Sequence, residues 1–77
     1  MNEGQEKFMS FIMERVMEGK QDNAESLLAE SFDKQQKDEF NMEYLQSFNT
    51  RMGALLKPEA VEEVMSVMQN FGPSHTN

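Results

Sequence analysis

Pro58-Glu59-Ala60-Val61-Glu62-Glu63-Val64-Met65-Ser66-Val67-Met68-Gln69-Asn70-Phe71-Gly72-Pro73 reads as one amphipathic helix with both of its ends marked. Pro58 stands where a first helical residue would, since the N–H it lacks has no intrahelical partner at that position. Val61, Val64, Met65, Met68 and Phe71 recur at three- and four-residue spacing and line one side, with Val67 on the margin. Glu59, Glu62, Glu63, Ser66, Gln69 and Asn70 occupy the opposite side. Gly72-Pro73 supplies the stop. The alternation of a strand appears here and elsewhere in the chain not at all.

The segment upstream reads the same way. Asn41 is a good N-cap, and Phe40 before it is placed to pack on Leu45 as a hydrophobic staple. Leu45, Phe48, Met52, Leu55 and Leu56 then define one face. Because Pro58 disfavours helix at Lys57, this third helix is expected to end at about Leu56. Gly53 inside it costs about 1 kcal/mol relative to Ala, which suggests a close helix approach.

A second helix is expected from about 23 to 37, opened by Asp22 and Glu25 as a capping-box-like pair. Ala24, Leu27, Leu28 and Phe32 form its narrow stripe, and Glu30–Lys34 and Asp33–Lys37 are i, i+4 ion pairs in the favourable order. The first helix is expected over about 4–18, with Gly19 as its stop. Phe8, Ile12 and Val16 make one row, Met9, Met13 and Met17 the next, and Phe11 extends the surface. Together they sweep roughly 240° of the helix, interrupted by Arg15, which is wider than a surface helix needs.

Four short amphipathic helices with short connections predict an all-α fold: two packed αα-hairpins in a small helical bundle. A single domain over residues 1–73 and a frayed tail over 74–77 are expected. Glu14-Arg15-Val16-Met17 faintly echoes Glu63-Val64-Met65, which is too little to define a repeat.

A 77-residue chain with no cysteine has neither disulfides nor thiolate metal sites to reinforce a small core. Helix packing, oligomerisation or both must serve. The formal net charge of −7 repels phosphate backbones and anionic membranes, so neither nucleic acid nor membrane is an expected partner. Helices three and four do not suit DNA recognition either, because the outward face of the fourth is Glu-rich. No segment approaches the ~20 apolar residues of a membrane span. The acidic, polar start, Met1 to Glu6, carries no secretory signal, and a cytoplasmic location is the expectation.

The inventory for chemistry is thin. Glu59, Glu62 and Glu63 sit at a helix start, where the macrodipole accounts for them. No Glu has a His three residues on, as a di-iron bundle requires. Asp22-Asn23-Ala24-Glu25 lacks the alternating ligands and the glycine of a calcium loop. The one histidine, His75, lies in the expected tail, and no serine or threonine has a positioned base. No catalytic residue, metal or cofactor is expected.

Eight methionines are the unusual count, serving either as adaptable core filling or as a pliable docking surface. These observations lead to the expectation of a non-enzymatic, acidic protein–protein interaction module. It would be homodimeric, with Phe8, Met9, Phe11, Ile12, Met13, Val16 and Met17 as the contact surface. Two other readings stand beside it. One is a binder of an apolar small molecule between the helices, with Tyr44 or Arg51 as polar anchor. The other is an acidic inhibitor occupying the nucleic-acid site of a basic partner.

Overall fold

A computed structural model describes residues 2–71, with only the backbone described for 69–71. It is a small all-α bundle of four helices: α1 (Glu3–Met13), α2 (Gln21–Gln36), α3 (Met42–Gly53) and α4 (Val61–Phe71). A 3-10 turn, Pro58–Ala60, leads into α4. The expected stop at Gly72-Pro73, the tail 74–77 and His75 lie outside the described residues.

Each start has a local cause. At α1, Asn2 and Gln5 close a capping box, with Gln5 N–H donating to Asn2 Oδ1 at 2.8 Å and Asn2 N–H to Gln5 Oε1 at 3.2 Å. Asn41 caps α3 as expected, accepting from Tyr44 N–H at 2.8 Å. At α2 the expected Asp22–Glu25 box is absent: Lys20 is the N-cap and makes no side-chain cap bond. Asp22 instead lies in the first turn, where its charge faces the positive end of the helix dipole. Phe40 meets the ring of Tyr44, edge-on at 5.2 Å between centroids.

Both hairpin corners arrive early. α1 stops at Met13 rather than about 18, and α3 at Gly53 rather than Leu56. Val16 and Leu56 leave their helices to form an isolated antiparallel bridge. Met17 N–H donates to the Leu55 carbonyl and Lys57 N–H to the Arg15 carbonyl, both at 2.9 Å. Two backbone hydrogen bonds between distant segments, with both side chains buried, outcompete one more turn at each helix end. Gly19, meant as the stop of α1, instead takes φ 88° in the connection to α2, a conformation that costs an L side chain about 1–2 kcal/mol.

The bridge exposes a relationship the sequence conceals. Val16 and Leu56 stand forty positions apart, and so do the buried pairs Ile12/Met52, Ala24/Val64 and Leu28/Met68. The two bridge hydrogen bonds exchange under the same shift. The bridge thus joins the corner after α1 to the corner after α3, and four pairs of buried side chains recur at that one spacing. The faint echo noted in the sequence has a different register.

α1 packs on α2 and α2 on α3. The core joins Ile12, Leu28, Phe48, Met52, Leu56 and Val64, each at most 2% exposed. Burying side chains of this size stabilises by about 1.5–3 kcal/mol apiece. Gly53 does not mark a close approach, since a Cβ there would meet Met65 Cε at an ordinary 3.9 Å.

Candidate functional site

The seven residues of the expected contact surface divide into three groups. Ile12 (0% exposed) and Val16 (2%) belong to the core, so they support a surface and do not form one. Phe8, Met9, Phe11, Met13 and Met17 are all half-buried, and the first four pack against the core from its margin. Because α1 ends at Met13, Met17 does not continue the Met9–Met13 row but sits in the corner beside the bridge. The wide helical sweep is thus shorter than expected. Among the described residues Met42, at 55%, is the exposed large hydrophobic side chain.

Arg15 explains why Phe11 is less open than its position suggests. Its guanidinium lies 3.9 Å over the Phe11 ring, and Nη1 donates to the Phe11 carbonyl at 2.8 Å. Nε donates to Glu63 Oε1 at 2.9 Å, tying the α1 corner to α4. The hydrogen bond to Glu63 holds the Arg15 pKa above its ordinary value, against some opposing desolvation. What read as an interruption of the apolar face is a lid over one of its rings.

A second polar cluster joins α2 to α3. Tyr44 Oη donates to Glu30 Oε2 at 2.7 Å, and Arg51 Nη2 donates to the same oxygen at 2.6 Å. Arg51, and secondarily Tyr44, hold the Glu30 carboxyl below the usual carboxylate range. Desolvation, then the bond to Glu30, pushes the Tyr44 phenol well above its ordinary value. Tyr44 and Arg51, the expected anchors for an apolar ligand, are thereby committed to Glu30. Glu30 does not pair with Lys34, which reaches Glu39 at 3.6 Å instead, while Lys37–Asp33 forms as expected at 3.0 Å.

Among the described residues, no group of three or more His, Asp or Glu side chains is arranged to hold a metal ion. Asp22 to Glu25 lie within α2, a geometry without a ligand loop. An open, shallow groove on α1 and its corner is lined by Glu3, Glu6, Ser10, Phe11, Glu14 and Arg15 among others. Among the described residues Asn49 Oδ1, on α3, is buried without a hydrogen-bond partner. No helix among the described residues is long and apolar enough to cross a membrane.

No protein-family model, curated protein or solved structure matches the chain.

Proposed function

We propose that the chain is a non-enzymatic, acidic interaction module that pairs with a second copy of itself along α1 and the corner that follows. One observation carries the reading: Phe8, Met9 and Met13 stay partly open while resting on the core, and Met17, also half-buried, follows in the corner. A second surface laid against them completes their burial at about 25 cal/mol per Å². Thioether side chains adapt to a facing copy without strain. Phe11 contributes less than its neighbours because Arg15 already covers it.

The net charge of −7 opposes any pairing of like copies, so the attraction must be apolar and salt must strengthen it. The absence of cysteine fits a reducing compartment, and the cytoplasm is the location we propose.

Sedimentation equilibrium over a concentration series at low and at high salt tests the reading. A dimer favoured by salt supports it. A monomer at high micromolar concentration in both salts removes the second copy as partner.

A further inference from the structure

The segment that joins the two hairpins, Lys37–Asn41, bends on a residue that is not glycine. It turns the chain through a complete Schellman arrangement: Asp38 N–H donates to the Gln35 carbonyl at 3.2 Å and Glu39 N–H to the Lys34 carbonyl at 2.8 Å. The residue forced into the left-handed region is Asp38, at φ 59°, where glycine is the usual occupant. The accompanying C3-to-C″ contact, usually apolar, is here the Lys34–Glu39 ion pair at 3.6 Å. Nothing in Lys37-Asp38-Glu39-Phe40-Asn41 forbids a helix, for it contains neither glycine nor proline.

Straightened, the segment would fuse α2 and α3 into a single helix from Gln21 to Gly53, roughly 50 Å long. Local contacts survive the change. Asp33–Lys37 and Phe40–Tyr44 are i, i+4 neighbours already and remain so. The Asn41 cap and the strained Schellman turn are lost, and regular helical hydrogen bonds replace them. Every contact between the hairpins would then be available from a second chain. Among them are the Val16–Leu56 bridge, the Arg15–Glu63 pair, and Tyr44 and Arg51 on Glu30.

We propose that this protein forms a dimer by exchanging hairpins, with α1–α2 of each copy packed on α3–α4 of the other. Short connections under strain invite such exchange, because the closed and exchanged forms share every interface and differ only at the hinge. The proposal is independent of pairing through the face of α1.

Two measurements test it. Val16 and Leu56 form the non-hydrogen-bonded pair of an antiparallel bridge, with Cα atoms expected about 4.5 Å apart, within reach of a disulfide. V16C and L56C chains are unfolded together, refolded at high concentration and oxidised. Exchange predicts a disulfide-linked heterodimer. Its absence overturns the proposal when the V16C/L56C double variant, oxidised as a dilute monomer, closes within one chain.

The second measurement leaves the core intact. Asp38→Ala disfavours the bent hinge and favours helix, whereas Asp38→Gly does the reverse. Their dimerisation constants after refolding, read by sedimentation, should differ by about tenfold or more. Two monomeric variants, or a dimer whose strength ignores residue 38, contradict exchange. The second outcome would point to pairing through α1 instead.

Discussion

Val16 and Leu56, forty residues apart, meet in an isolated antiparallel bridge, with both side chains buried. The two corners are thereby pinned together by backbone hydrogen bonds, independently of which side chains surround them.

Truncation at the bridge should therefore be costly and coupled. Leu56→Ala is expected to lower stability by about 2–5 kcal/mol. Val16→Ala should cost less, having less side chain to lose. Because the two side chains are opposed, the double variant should fall short of the sum by about 0.5 kcal/mol or more. Urea denaturation followed by circular dichroism gives the three differences. Strict additivity would mean that the paired corners do not communicate.

Arg15 is expected to act through packing as much as through charge. Arg15→Lys keeps an ion pair with Glu63 within reach but loses the planar stack on Phe11 and the bond to its carbonyl. Arg15→Ala loses all of them. The thermal midpoint should fall for Lys and fall further for Ala. Glu63→Gln should fall least, and its effect should shrink in high salt. Equal midpoints for the Lys variant and the parent would show the stack to be idle.

The single tyrosine makes its own titration readable. Desolvation and the bond to Glu30 raise the folded phenol above the ordinary value of 10.0, so the unfolded chain ionises first as pH rises. Stability is full below that pH and declines above it, and Tyr44→Phe should remove this part of the decline. Tyrosinate absorbance should appear at higher pH in the folded protein than in urea. Coincident titrations would contradict the buried Tyr44–Glu30 contact.

Glu30 has the opposite sign. Its folded pKa is lowered from 4.5, so the stability it contributes is present above that value and is lost as pH falls through the folded pKa. Glu30→Gln should flatten the acid limb of a pH–melting profile. An unchanged limb would mean that Arg51 and Tyr44 do not hold the carboxylate.

At residue 38, in dilute monomer, Asp38→Gly is expected to stabilise by about 0.5–1 kcal/mol by relieving the left-handed backbone. Destabilisation would show that the Asp38 side chain contributes more to the turn than its backbone costs.

Much of this architecture was legible in the residues. Periodicity located four helices and their buried faces, and Asn41 announced the start of α3. The hairpin corners were not legible, because Val16 and Leu56 fit a helical apolar row as well as a bridge, and only the partner segment decides between them. The forty-residue spacing of Ile12/Met52, Val16/Leu56, Ala24/Val64 and Leu28/Met68 was hidden for a related reason, since each of these pairs keeps its burial but changes its side chain.

The contact surface was legible in part. Helical spacing put Phe8, Met9 and Met13 on one face, yet it also enlisted Ile12 and Val16, which the core takes up entirely. Arg15 read as a polar break because its reach over Phe11 depends on Glu63, forty-eight positions away. Tyr44 and Arg51 were legible as polar groups on one helix, but their partner Glu30 left no signal, since it comes from α2.

Sedimentation equilibrium of the parent beside Met13→Glu and Met9→Glu, each checked for intact helicity, probes the pairing face most directly. In protein never unfolded, so that pairing through α1 is read apart from exchange of hairpins, a parental dimer that both acidic variants convert to monomer is the predicted result. A parent that stays monomeric throughout, or variants that associate as strongly as it does, would contradict self-pairing through α1.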